Sequence, residues 1–361
     1  MTIGTTLTGF RNKFIFAKQK LNFMAETAVV ILNFNGKDFL MKYLPAVIEN
    51  SSEAEIVIAD NASTDGSVEF MRKHFPEIKL LKNQKNDGFA GGYNWALSQI
   101  KADFYVLLNS DIEVTPGWLQ PVISLMKSDK KIAACQPKIR SVFRKEYFEY
   151  AGASGGFIDR WGYPFCRGRI FESVEKDEGQ YDDVREIFWA TGACLFVRAD
   201  VYHRLGGLDT VFFAHMEEID FCWRAKNEGY KIMVQPASVV YHVGGGTLPK
   251  NSAWKTYLNF RNNFMLLYKN LPQDRLWRVL VVRLFLDGLA GFKFLMEGHA
   301  QDTLAILKAH FHFYRNLKNL KMKRLKLKQN NVSMIYRKSL VLQHFFKGTK
   351  QFSKLNARDF S

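Results

Sequence analysis

The chain has 361 residues, 47% hydrophobic and 14% aromatic, which excludes a disordered chain and allows one large domain with an appendage. Its formal net charge of +16 is unevenly spread: residues 269–361 hold 19 Lys/Arg against 5 Asp/Glu, a net of +14, leaving an ordinary globular balance in front. Cys135, Cys166, Cys194 and Cys222 are scattered without a Cys-x-x-Cys pair, so reduced packing cysteines of a cytosolic protein are expected in preference to structural zinc or disulfides.

In chain order, residues 1–24 read as an extension. Arg11, Lys13, Lys18 and Lys20 interrupt any apolar core that a signal peptide needs. From Ala28 short β-rich runs alternate with helical segments, the pattern of a doubly wound, mostly parallel α/β sheet flanked by helices. Strands are predicted at 28–34, 55–59, 78–82 and 104–108, with helices at about 38–49, 67–75, 91–100 and 118–128. Ligands in such folds sit beyond the carboxyl ends of the strands. Those ends are polar here: Asn33 with Asn35, Asp60 with Asn61, and Asn109-Ser110-Asp111.

Each polar end suggests chemistry. Asp60 can accept hydrogen bonds from a base or ribose, whereas Asp65 suits a turn that opens a helix. The run from Asp87 through Gly91 is a glycine-rich loop entering a helix, where backbone N–H groups can approach a diphosphate. Asn109-x-Asp111 offers one carboxylate, Asp111, for a divalent cation whose shell is completed by phosphates and water. Residues 140–185, rich in glycine and aromatics, read as an ordered binding loop. Further on, Glu217, Glu218 and Asp220 crowd the start of a helix. Glu217 and Asp220 share a face from which Glu218 is rotated, so one acid is suited as a base and the others to positioning it. His242, between an apolar strand and Gly244-Gly245-Gly246, can reach a metal or phosphate.

Beyond Leu271 the pattern turns helical. Arg278, Arg283, Asp287 and Lys293 break the apolar run of 276–296, which therefore fails as a membrane span. Leu304, Leu307, Phe311 and Tyr314 form a stripe ending in Lys318, Lys321, Lys323 and Arg324, the pattern of an interfacial helix at an anionic membrane surface. Residues 25–268 are therefore read as the catalytic domain and 269–361 as a basic amphipathic helical tail.

Taken in order, VVILNFNG, IADNASTDGS, KNDGFAGGYNWAL, LLNSD, FWATGACLFVRADVYHRLGGLD, FFAHMEEIDFCWRAKNEGYKI and VVYHVGGG resemble the family 2 glycosyltransferases of GT-A fold, in particular the rhamnosyltransferase-like branch of bacterial surface-polysaccharide synthesis. The resemblance spans about 28–268. It implies inverting transfer from a nucleotide-diphosphate sugar to a glycan or polyprenyl-diphosphate-linked acceptor, with Mg2+ or Mn2+ as cofactor, in the cytoplasm at the inner face of the membrane. By position, Asn33 and Asp60 are expected to contact the nucleoside, and Asp87, Gly91 and Asn109 to line the donor site. Asp111 and His242 fall at the metal and diphosphate positions, Glu218 at the catalytic base, and Trp189, Gly192, Glu217 and Asp220 on the acceptor side. Two departures stand out: Asn109 replaces a carboxylate, and Glu218 replaces an aspartate. The alternative is a non-catalytic or nucleotidyl-transferring protein that binds nucleotide sugars. The basic tail alternates cations with aliphatics and lacks a stacking-aromatic motif, so no nucleic-acid partner is expected.

Overall fold

The computed structural model describes residues 25–244 and 252–361; the predicted extension, 1–24, and the last two glycines of VVYHVGGG lie outside the described residues. The strands are β1 Thr27–Asn33, β2 Glu55–Asp60, β3 Lys79–Lys82, β4 Phe104–Asn109, β5 Ile112–Val114, β6 Ile132–Ser141, β7 Gly156–Asp159, β8 Pro164–Cys166, β9 Arg169–Ile170, β10 Ser173–Val174, β11 Arg185–Ile187, β12 Cys194–Arg198, β13 Lys231–His242 and β14 Ile335–Tyr336. The helices that matter for the site are α1 Lys37–Glu49, α2 Ser67–His74, α3 Gly88–Leu97, α4 Leu119–Ser128, α5 Ala199–Arg204, α6 Glu217–Asn227, α7 Ala253–Asn270, α8 Gln273–Met296, α9 Ala300–Arg315 and α10 Leu317–Leu325.

The main sheet runs β11-β13-β6-β12-β4-β1-β2-β3, with β5 paired to β13. Its N-terminal half, β3-β2-β1-β4, is parallel as expected, and β12 enters antiparallel between β4 and β6. Both faces are covered, which is why β1 and β4 read as unbroken apolar runs. Ala28 and Val30 of β1 join α3 in one buried cluster. Val29 and Ile31 point the other way, to Leu40 and Leu44 of α1 and Val122 and Met126 of α4. The register of the parallel strands aligns their polar ends: Asn33 lies beside Asp60, and Leu32 beside Asn109.

Residues 140–185 are not a loop. They build most of a small second sheet, β10-β9-β8-β7-β14, whose last strand comes from the C-terminal region. Gly156 is required here because a Cβ would meet the Trp189 ring at 2.1 Å. Phe352 and Phe360 complete this layer, each with its ring 5.2 Å from that of Phe157.

The predicted boundary after residue 268 falls inside α7. Polar contacts cross it: Lys269 Nζ pairs with Asp220 at 2.8 Å, Asn270 Nδ2 donates to the same carboxylate at 2.8 Å, and Arg324 donates to the Tyr268 carbonyl at 2.7 Å. Positive charge in this region is spent partly on binding it to the front of the chain. The four cysteines are buried and unpaired.

Candidate active site

A cleft of about 920 Å3 opens at the carboxyl ends of β1 and β4. Three groups of side chains meet in it. Asn109, Ser110 and Asp111 come from the end of β4, Glu217 and Glu218 from the first turn of α6, and His242 from the end of β13.

β5 explains how Asp111 and His242 meet, because Ile112 pairs antiparallel with His242. His242 Nε2 lies 3.2 Å from Asp111 Oδ1. Its Nδ1 lies 3.2 Å from Glu149 Oε2, off the ring N–H axis. Burial opposes a charge on this imidazole, but its close contacts with the Asp111 and Glu149 carboxylates outweigh it and push the pKa up to about 10. Glu149 is correspondingly held below its ordinary value: burial works against the charge, and His242 prevails. No local sequence pattern marks Glu149, which reaches the site because the chain turns back after β6 and the Glu149 N–H donates to the Ile139 carbonyl at 3.0 Å.

Glu217 and Glu218 are different in kind. Each has a buried Oε2 with no hydrogen-bond partner. Burial, opposed only by backbone N–H groups, pushes Glu218 up to about 7. Glu217 is also raised well above its ordinary value, by burial and then by the neighbouring Glu218 charge. A carboxylate poised near neutrality and facing a cleft is suited to taking a proton.

The turn before these acids is strained. Phe213, His215 and Met216 all have φ between 64 and 75°, a region costing about 1–3 kcal/mol per non-glycine residue. Asn262, buried in α7, holds it: Nδ2 donates to the carbonyls of Phe212, Ala214 and His215 at 2.8–3.0 Å. Sequence reading missed Asn262, although Asn262-Asn263 inside an apolar helix is a recognisable signal of buried polar function. We expect Asn262→Ala to cost about 1–3 kcal/mol of stability through the carbonyls it orphans. The same substitution should lower transfer at constant donor affinity; denaturant unfolding and steady-state kinetics test both. His215, buried beside Lys255, is pushed down to about 4.

The other predicted residues divide. Gly192 lines the cleft opposite the acids, where a Cβ would stand 3.1 Å from Phe89 and 3.8 Å from Glu218 Cβ. Asn33 and Asp60 do not line it. They are 0% and 1% exposed and tie β1 to β2, with Asn33 Nδ2 donating to Asp60 at 3.1 Å and the Ser63 N–H donating to it at 3.0 Å. The cleft is instead lined there by Leu32, Phe34 and Asn61. Asp87 lies at the rim among Asn83 and Lys85, whose hydrogen bonds hold its carboxyl below the ordinary range, and its neighbours Asn86, Gly88 and Phe89 are the lining residues. Gly91 sits inside α3, which starts three residues earlier than expected, so it offers no loop N–H to an anion; a Cβ there would meet Asp87 Cβ at 2.7 Å.

Trp189 is behind the wall, its Nε1 donating to the Phe157 carbonyl at 3.0 Å. Asp220 also faces away from the cleft, fully buried against Arg224, Lys269 and Asn270, because helical spacing puts it on the face that packs on α7. The wall opposite the sheet comes from the C-terminal helices: Phe294 and Glu297 end α8, and Asp302 of α9 accepts from Thr256 at 2.6 Å.

With the geometry in hand, comparison with known proteins is decisive. Residues 28–206 match the model of the family described as Glycosyl transferase family 2. They are a family 2 glycosyltransferase domain. A curated relative, the N-acetylglucosaminyl-diphospho-decaprenol L-rhamnosyltransferase of Mycobacterium tuberculosis, is 24% identical over 59% of this chain and 75% of its own. The low-salt glycan biosynthesis hexosyltransferase Agl10 of Haloferax volcanii is 22% identical over 69% of this chain and 77% of its own. Among solved structures, GalNAc-T7 with UDP, GalNAc and Mn2+ superposes with a TM-score of 0.53 at 16% identity, over 70% of this chain and 49% of that one. The chain thus spans about half the length of that structure, and the likeness establishes the GT-A fold of the family 2 domain.

Proposed function

We propose that the cleft binds a nucleoside-diphosphate sugar and transfers the sugar, with inversion, to a hydroxyl of a glycan or polyprenyl-diphosphate-linked acceptor in cell-surface polysaccharide synthesis. The observation that carries this reading is the placing of two unpartnered carboxylates, Glu217 and Glu218, in the same cleft as the Asp111–His242 pair. The name of the Mycobacterium relative supports a diphospho-lipid acceptor.

In the reaction, Glu218 takes the proton of the acceptor hydroxyl. The acceptor oxygen forms its bond to the anomeric carbon from the face opposite the diphosphate. The bond from that carbon to the diphosphate oxygen breaks, and its electron pair leaves with the nucleoside diphosphate. Glu217, held protonated by burial and by the Glu218 charge, borders the acceptor side. Gly192 leaves the space opposite them free.

The donor set fits a divalent cation, Mg2+ or Mn2+. Asp111 would supply an oxygen, and His242 a nitrogen once the cation displaces the proton that Asp111 and Glu149 favour on its ring. Among the described residues no cluster of three or more ligating side chains is present, so phosphate and water oxygens would complete the shell, as hard cations of this kind accept. Bound there, it would supply positive charge to the leaving diphosphate. Asn109 contributes an amide where a second carboxylate would bind more strongly.

A panel of nucleotide sugars tested by thermal shift, with and without Mg2+ or Mn2+, checks the reading. One donor is expected to raise the melting temperature, and Asp111→Asn to remove the cation-dependent part of the rise. Absence of a shift with every donor would overturn it. We place the protein in the cytoplasm, attached peripherally to the inner face of the membrane: among the described residues no helix is long and apolar enough to cross one, while α8 and α9 present apolar and basic side chains outward.

A further inference from the structure

The N-terminal end of α8 borders a second cavity, of about 350 Å3, lined by Arg160, Arg275, Arg278 and Arg337 with Ile335 and Ser361. Cations gather only against mutual repulsion, and the effect is visible: burial, then the Arg278 and Arg160 charges, hold the half-buried Arg275 guanidinium below its ordinary range, with Asp274 opposing. Among the described residues none of the four arginines forms an ion pair with a carboxylate. The nearby acid of the C-terminal turn, Asp359, is taken by Lys338 at 2.8 Å. Arg160 lies over the Trp161 ring, 4.6 Å from its centroid.

The same helix carries a second feature. Trp277, Val281, Phe285, Phe292 and Met296 are each more than half exposed, and their spacing places them within a third of the circumference of α8. Leu307 and Phe311 of α9, which packs against α8, are also 62% exposed. This stripe runs from the arginine cavity at one end to Met296 at the other, in the same turn as Phe294 and Glu297, which line the catalytic cleft from other faces of the helix. From Arg278 to Phe294 is about 24 Å along the helix axis.

We propose that the arginine cavity binds the phosphate of an anionic phospholipid headgroup while the apolar stripe of α8 enters the bilayer surface, so that the mouth of the catalytic cleft is held at the membrane plane. The proposal rests on the peripheral attachment inferred above and assigns it a specific site. Guanidinium forks match phosphate oxygens in geometry as well as charge. An apolar stripe bordered by cations is the arrangement of a helix lying in the interface, and a lipid offers phosphate and hydrocarbon side by side. An acceptor carried on a membrane lipid then reaches the cleft by lateral diffusion.

The test compares the full chain, its Arg275→Gln/Arg278→Gln/Arg337→Gln variant and a charge-matched Lys73→Gln/Lys101→Gln/Lys130→Gln control. Each is co-sedimented with vesicles of phosphatidylglycerol and phosphatidylcholine, and with phosphatidylcholine alone. Wild type and control are expected to bind the anionic vesicles alike, and the arginine variant about a hundredfold more weakly. Arg278→Gln alone, at an exposed position, should lose roughly fivefold and guards against misfolding of the triple variant. Equal losses in the arginine variant and the control would overturn the headgroup site and leave peripheral attachment standing. Failure of the wild type to bind either vesicle would overturn both. Stabilisation by inorganic pyrophosphate that depends on the arginines, without vesicle binding, would mark a soluble-anion site and overturn the lipid source. A dimer in light scattering without vesicle binding would assign the stripe to self-association and overturn the proposal.

Discussion

Glu218→Gln should reduce sugar transfer by about 10³–10⁴-fold while donor binding stays near its wild-type value. Removing a positioned base forfeits that much when no other group can take the proton, and the neighbouring Glu217 is itself held protonated by burial, so it is a poor substitute. The wild-type rate should fall as pH drops below about 7, where Glu218 takes up its own proton. The variant should show no such limb. Stability moves the other way: a carboxyl whose folded pKa is raised destabilises the fold once pH exceeds its unfolded value, so the amide should melt higher than wild type at pH 8. Single-turnover assays, a pH profile and a thermal melt check the three effects. A variant with full turnover would end the assignment, and one that binds donor but shows wild-type protein to be equally inactive would favour the non-catalytic reading.

Asp220→Ala should produce the largest loss of stability, about 3–5 kcal/mol by urea unfolding, because it leaves Lys269 and Arg224 buried without their shared partner. Burial opposes the Asp220 charge, but Lys269 and Arg224 hold its pKa below the ordinary carboxylate range. Its contribution is therefore present above the unfolded value of about 3.9 and is lost as pH falls through the lower folded value, so wild type and variant should converge only in strong acid. Glu217→Gln, in the same first turn, is the informative contrast: it replaces a buried carboxyl, held protonated and with one unpartnered oxygen, by a neutral amide and should leave stability unchanged or raised. A loss below about 1 kcal/mol for Asp220→Ala would show that the α6–α7 junction does not depend on this carboxylate.

The contrast between Glu217 and Asp220 also shows how far sequence reading reaches. Three acids in four positions were legible as a crowded helix start, and helical spacing separated Glu218 from the other two. Spacing gives relative faces, and not which face meets the cleft. Glu217 turned out to share the cleft with Glu218, while Asp220 points into the packing with α7. Only the position of that later helix decides this. The parallel half of the sheet was legible because alternating β and α runs favour right-handed parallel crossovers. The mixed half was not, because β12 and β13 carry no local mark of strand direction.

The C-terminal region gives the same lesson. Its charge excess and apolar stripe were plain in the composition, but Lys269 and Arg324 are spent on internal partners. Phe294, Glu297 and Asp302 join the cleft wall.

What the sequence by itself determined is the α/β alternation, the polar ends of β1, β2 and β4, the candidates Asp111, Glu218 and His242, and the apolar and basic faces of the last helices. These are written in local periodicity and residue type. What only the tertiary structure decided is which polar groups are free and which are satisfied. Asp60 and Asp220 are consumed by buried partners, Glu149 is delivered to His242 by the segment that turns back along β6, and Glu217 and Glu218 keep bare oxygens in a cleft closed by α8 and α9. Whether a carboxylate is a strut or a base depends on the partners that long-range folding brings within hydrogen-bond distance, and no spacing along the chain encodes those partners.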